Sequence, residues 1–194
     1  MSSKAAKLNS LVQGCRRCPF VDKPLVKYEA YLKWLPEKVR VLAIGESPPP
    51  GLKDSVFYNT SRFDRFRECM KMVAGVKSDI EVLELFKSRG VFVTGAVKCR
   101  PLSKETLEEM RVNCLPLLRV EVNELRPRRL VAMGWTAARS VSELLNIKPP
   151  ASLSTGGVVE ARLKDIVVYF TPHPNYVLRF RRDLASRLRR ALFK

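Results

Sequence analysis

Glutamine is almost missing from this 194-residue chain, where Gln13 is the only one, and histidine is as rare, with His173 alone. Acidic residues are short too: 19 Asp plus Glu face 36 Lys plus Arg, a formal net charge of +17. No run of about 18 apolar residues is present to span a bilayer. The opening stretch MSSKAAKLNSLVQ lacks the apolar core of a secretory signal. The expectation is therefore a soluble, cytoplasmic protein with no membrane partner. Scarce amides beside abundant charge are also what proteins of hot environments tend to show.

What is present sets the class. Hydrophobic residues make up 46% of the chain, enough for a real core, and the length suits a single domain over 1–194. A basic surplus of this size calls for a polyanionic partner, since each Lys or Arg set near a phosphate releases a condensed counterion. Nucleic acid ranks first. An anionic membrane surface usually attracts one amphipathic basic helix, whereas here the charge is spread along the chain and is densest at its end. An acidic protein partner ranks below both, and charge kept for solubility is the plain alternative.

Four short apolar runs close on a glycine or a polar turn: Val39 to Gly45, Gly90 to Ala96, Arg129 to Gly134 and Asp165 to Thr171. Runs of this kind read as strands buried on both faces. Helical periods fill the gaps, at Phe63 to Val73, Ile80 to Phe86, Lys104 to Leu125 and Trp135 to Leu145. The alternation predicts an α/β fold with a mainly parallel, four-stranded sheet. Val158 to Arg162 is a candidate extra strand, and the turns are marked by Ser47 to Gly51, Lys148-Pro149-Pro150 and Ser154 to Gly157. Ligands of an open parallel sheet bind beyond the carboxyl ends of its strands. That directs attention to Glu46 to Gly51, Val97 to Pro101, Trp135-Thr136 and Pro172 to Arg179.

Cys15 and Cys18 form a C-x-x-C in a short turn, Cys99 follows a strand, and Cys114 falls in a predicted helix. If the fold joins the two pairs, four thiolates suit an iron-sulfur cluster or a structural zinc. Disulfides are disfavoured inside cells, proteins of hot-environment organisms excepted. A redox C-x-x-C would follow a strand, and none precedes Cys15. Separate buried thiols are the remaining alternative, which is the reading given to Cys69.

Several separated motifs then coincide with one family. They are the early C-x-x-C, Gly45-Glu46-Ser47-Pro48, Val97-Lys98-Cys99-Arg100-Pro101, Cys114, Leu125-Arg126-Pro127, Met133-Gly134 and His173-Pro174-Asn175 with Leu178-Arg179. In order and spacing the chain resembles the iron-sulfur, family 4 branch of the uracil-DNA glycosylases, known from archaea and thermophilic bacteria. The resemblance implies a three-layer α/β/α fold and a 4Fe-4S cluster on Cys15, Cys18, Cys99 and Cys114 that orders loops rather than catalysing. It also implies a monofunctional DNA glycosylase of base excision repair, acting as a monomer on uracil or a related deaminated base in DNA. The chain departs from the family in three motifs. Ser47 and Pro49 stand where the family usually has Ala and Gly, Gly95 where it has an Asn that bonds the uracil edge, and Asn175 where it commonly has Ser.

By the same resemblance, His173 donates a hydrogen bond to the departing base. Glu46, or Asp54 in its place, orients the attacking water, with capping of the turn as the alternative for Glu46. Phe57 or Tyr58 stacks on the base, with a core position as the alternative for Phe57, and Asn59 is a candidate substitute for the amide missing at Gly95. Ser47 and Asn175 complete the substrate contacts. Tyr176, Val177 and Leu178 offer a wedge for the emptied base position, flanked by Arg179, Arg181 and Arg182 for phosphates. Leu184, Leu188, Ala191 and Leu192 recur at helical spacing in a basic terminal helix. Two rivals remain: a non-catalytic nucleic-acid-binding relative, and an electron-transfer protein built on the cluster.

Overall fold

The structure is a computed structural model that describes residues 3–153, 158–163 and 165–194. The turn expected at Ser154 to Gly157 lies outside the described residues. Four strands form where the apolar runs predict them: β1 (Val41–Gly45), β2 (Val91–Gly95), β3 (Arg129–Met133) and β5 (Ile166–Thr171). A fifth, β4 (Val159–Leu163), forms at the candidate extra strand of Val158 to Arg162 and makes the sheet five-stranded rather than four. It alternates half-buried and exposed residues, so it lacks the continuous apolar run that marked the others.

The strand order is β2-β1-β3-β5-β4. Every pairing is parallel except that of β4 with β5. From β1 the chain passes to β2 on one side, then crosses back over β1 to β3 on the other. Because parallel crossovers are right-handed, a change of direction puts the connecting helices on opposite faces. The packing agrees: α3 (Arg65–Ala74) meets α4 (Asp79–Ser88), α7 (Pro174–Phe180) and α8 (Ala185–Phe193), while α1 (Ser3–Gly14) and α6 (Trp135–Leu145) meet α5 (Leu107–Leu125). A short α2 (Pro24–Lys27) precedes a π-helical turn over Ala30–Trp34.

Local chemistry fixes the helix ends. The Asp64 side chain accepts from the Arg67 N–H to start α3, and Gly75 ends it at φ 75°. Ser78 and Glu81 form a capping box on α4.

A polar network lies in the core between β2 and α5. Lys98 Nζ donates to Thr94 Oγ1 (2.8 Å), to the Gly95 carbonyl (2.7 Å) and to Glu121 of α5. Glu121 also accepts from Tyr31 and Thr94. Lys98 and Glu121 are closed to solvent, at 0% and 1% side-chain exposure. All three ammonium protons have acceptors, which makes burial of the charge tolerable. Glu121→Ala leaves that ammonium unpaired, and guanidinium denaturation should show a loss of about 3–5 kcal/mol, largely recovered in Lys98→Met/Glu121→Leu.

Candidate active site

At the carboxyl ends of β1 and β2 lies a cavity of about 560 Å³, lined in part by Glu46, Ser47, Phe57, Tyr58, Gly95, His173 and Asn175. These seven residues, chosen from sequence, are brought together. Asp54 and Asn59 are not among the lining residues, and both correct the sequence reading. Asp54 pairs with Lys27 at 3.0 Å and lies 3.6 Å from Arg100. A hydrogen bond with Tyr28, then Lys27 itself, holds its carboxyl below the ordinary range. Asn59 spends its amide on the Asp54 carbonyl and the Tyr28 hydroxyl, and its oxygen accepts from Ser61 N–H. It ties a loop together.

That loop owes its shape to Arg67, whose buried guanidinium donates to the carbonyls of Val56, Phe57, Asn59 and Arg62 and pairs with Asp79 at 3.0 Å. The loop presents two aromatics. The Tyr58 hydroxyl donates to the Val93 carbonyl (2.8 Å) and accepts from the Val93 N–H (3.2 Å). Phe57 meets Tyr58 and Phe66 edge-on and also packs on Phe86. It is both core residue and cavity wall.

His173 directly precedes α7, which takes up most of the segment Pro172 to Arg179 beyond the strand end. The Asn175 N–H donates to Nδ1 of His173 at 3.1 Å. An accepting Nδ1 carries no proton, so the neutral ring bears its hydrogen on Nε2. Burial holds the imidazole below its usual pKa, against the pull of the Glu46 and Asp64 carboxylates. Phe66 braces the ring, 6.1 Å away and near edge-on.

Glu46 bridges the switch point between β1 and β3. Its Oε1 accepts from the Thr136 N–H at 2.9 Å, so it caps the start of α6 rather than the turn after β1. Gly134 makes room: at φ 94°, a Cβ there would stand 2.6 Å from Glu46 Cδ. Gly95 is constrained as well, since a Cβ would lie 2.5 Å from the Val97 carbonyl oxygen. The wall at this position is main chain by necessity.

The wedge and phosphate assignments need correction in part. Val177 is 1% exposed, and Leu178 packs against the core, because α7 turns both inward. Tyr176 lies half-buried beside Phe180. Arg181 pairs with Asp183 at 2.8 Å. Arg182 is exposed with its Nε on the Leu178 carbonyl, and the exposed Arg179 lies over the Phe180 ring.

Sequence reasoning missed Asp64, Phe66, Thr94, Lys98 and Lys104, which also line the cavity. Only Asp64 carries a local signal, a capping Asp ahead of a helical period.

The cysteines are gathered by two sets of bonds. Val21 N–H donates to the Arg100 carbonyl and Arg100 N–H to the Asp22 carbonyl, each at 2.9 Å, zipping the chain after Cys18 to that after Cys99. Arg17 and Asn113 exchange side-chain to main-chain bonds, tying the same turn to α5 beside Cys114. All four thiols are free. Burial pushes Cys99 up to about 12 and Cys114 up to about 11, and the neighbouring cysteines add to each shift. The Lys98 N–H points to Cys114 Sγ at 3.3 Å. Among the described residues, no group of three or more His, Cys, Asp or Glu is arranged to hold a metal ion. In donor type the four cysteines are those an all-thiolate cluster uses, with a backbone N–H aimed at Cys114 sulfur and the Lys23 ammonium bonded to the Cys15 carbonyl at 2.6 Å.

Comparison with known proteins gives one family. Residues 32–194 match the family model described as the Uracil DNA glycosylase superfamily. A Type-4 uracil-DNA glycosylase of Pyrobaculum aerophilum is 30% identical over 193 residues, covering 92% of this chain and 90% of that protein. A Type-5 uracil-DNA glycosylase of the same organism is 30% identical over 186 residues, covering 87% and 80%.

With one histidine in the chain, the state of the ring can be read without assignment. Proton-nitrogen NMR should place its titration midpoint below the usual value of about 6.5, with the Nε2–H tautomer above that pH. The ring is then neutral at pH 7, and the fold loses stability as the pH falls from about 6.5, where the unfolded chain takes up the proton, to the lowered midpoint, below which the loss levels off. A midpoint at or above the usual value contradicts this environment.

Proposed function

The chain belongs to the uracil-DNA glycosylase superfamily, and on that premise we propose that it hydrolyses the N-glycosidic bond of uracil in DNA, releasing the free base during repair. The observation that carries the reading is His173: a half-buried neutral ring, its Nδ1 occupied by the Asn175 N–H, on the wall of a cavity able to take an extruded base. Negative charge grows on the base as the bond to the sugar breaks. A fixed donor in a site of low dielectric stabilises that charge without reorganising. Nε2–H of His173 is that donor.

The other roles follow from position. Phe57 offers an aromatic wall for stacking. Glu46 has one oxygen pinned by Thr136, leaving Oε2 to orient water against the sugar. Asp54, paired outside the cavity, takes no part. Ser47 and Asn175 hold the base edge where Gly95 contributes main chain only. Exposed Arg179 and Arg182 meet phosphates. Cys15, Cys18, Cys99 and Cys114 hold a 4Fe-4S cluster, which would tie the turn after α1 to α5 and β2. The protein works in the cytoplasm as a monomer. Linked ion pairs, such as Arg111 with Glu108 and Glu143 and Arg139 with Glu108, support adaptation to heat alongside the scarcity of glutamine.

The test is release of free uracil from a uracil-containing oligonucleotide. His173→Ala should lower kcat by about 10²–10³-fold, the scale of one lost charge-stabilising donor. No release of uracil, hypoxanthine, xanthine or mismatched thymine by the brown, cluster-loaded protein would instead favour the non-catalytic DNA-binding relative, which the capping duty of Glu46 favours. For the cluster, the isolated protein should carry iron and sulfide with broad visible absorption. Cys99→Ser should lose both.

A further inference from the structure

A nucleotide swung out of a duplex leaves a gap, and the stack closes again unless an apolar side chain fills it. The wedge drawn from sequence cannot fill it as folded: Val177 is buried, Leu178 packs on the core, and Tyr176 lies half-buried beside Phe180, whose own exposure is 63% at the far end of α7. On another side of the cavity mouth stands a different candidate. Ser47, Pro48, Pro49 and Pro50 line the cavity, and Leu52, two residues further on, is 92% exposed.

Lone exposed leucines are ordinary and by themselves argue nothing. The support beneath this one is what matters. Three consecutive prolines fix the backbone, Arg100 Nη1 donates to the Pro49 carbonyl at 3.0 Å, and Gly51 N–H donates to the Pro101 carbonyl at 3.0 Å. Arg100 is itself anchored by Asp22 at 2.8 Å and closed to solvent. Gly51, at φ 74°, turns the chain outward. The bond from Gly51 to Pro101 sets a second exposed leucine, Leu102 (53%), on the adjoining loop. Lys53 and Lys104 are exposed beside the two leucines. An aliphatic tip on a stiff turn, flanked by cations, is complementary to a base step with a phosphate on either side.

We propose that Leu52, with Leu102 on the adjoining loop, is the wedge that enters the DNA duplex at the position the extruded nucleotide leaves. This rests on the reading of the chain as a glycosylase acting on an extruded base. It moves the wedge from the histidine segment to the proline-stiffened turn.

The experiment compares wild type with Leu52→Ala, whose melting temperature should match because the side chain packs on nothing. Single-turnover uracil release is measured on duplex and on single-stranded DNA of one sequence. The ratio of duplex to single-strand rate should fall by about tenfold or more, since only a duplex has a stack to hold open. An unchanged ratio overturns the wedge. A second measurement needs no catalysis: affinity for a duplex with a tetrahydrofuran abasic site against the intact duplex. Wild type should prefer the abasic duplex and Leu52→Ala should lose the preference. If wild type releases no uracil yet shows that loss, the glycosylase reading fails and the wedge stands. If uracil is released while ratio and preference are both untouched by Leu52→Ala, the wedge fails alone.

Discussion

One buried ion pair joins the two working parts of this protein. Lys98 and Glu121 lie out of reach of water, and a pair in that setting seldom adds net stability over a well-packed apolar pair of similar size. Its value is positional. The three donors of Lys98 gather Thr94, the Gly95 carbonyl and the α5 carboxylate onto one point. That point fixes the turn after β2, which forms the cavity floor at Gly95 and carries Cys99 on its far side. Glu121 sits on the helix that also carries Cys114. Cavity and cysteine corner therefore share one anchor, and the sheet cannot move against α5 without breaking it.

The apolar runs made the strands legible, because a strand buried on both faces has to be apolar throughout. The candidate extra strand at Val158 to Arg162 forms as β4, one residue further on, although its residues alternate between the core and water. Helices α3 to α6 were legible to within a few residues. The short α7 was hidden, since Pro172 and Pro174 around His173 suggest a loop while Pro174 in fact suits the first turn of a helix. That miss explains the failed wedge assignment: once the segment is helical, Val177 and Leu178 face the core.

The site was legible where chemistry is tied to strand ends. Glu46, Gly95 and His173 follow strands and converge as that placement requires. Asp54 and Asn59 were polar residues near the right place, and nothing local distinguishes a side chain that faces a cavity from one that secures a loop. The duty of Glu46 depends on Gly134, almost ninety residues on, and the bond to Thr136 is visible only when β1 and β3 stand side by side. Arg67 was hidden for the same reason. A basic residue in a basic chain looks like solvated surface, yet this one is buried and holds four carbonyls of the aromatic loop.

The Tyr58 hydroxyl has a consequence outside the site. Strand β2 is the outermost of its sheet on that side, and a bare outer strand offers its free N–H and C=O groups to any passing chain. By taking both the donor and the acceptor of Val93, Tyr58 occupies the middle of that template. The opposite border, β4, carries Glu160 and Arg162 facing solvent. The two borders of the sheet thus differ in kind: a phenol covers the middle of one, and charged side chains stand along the other.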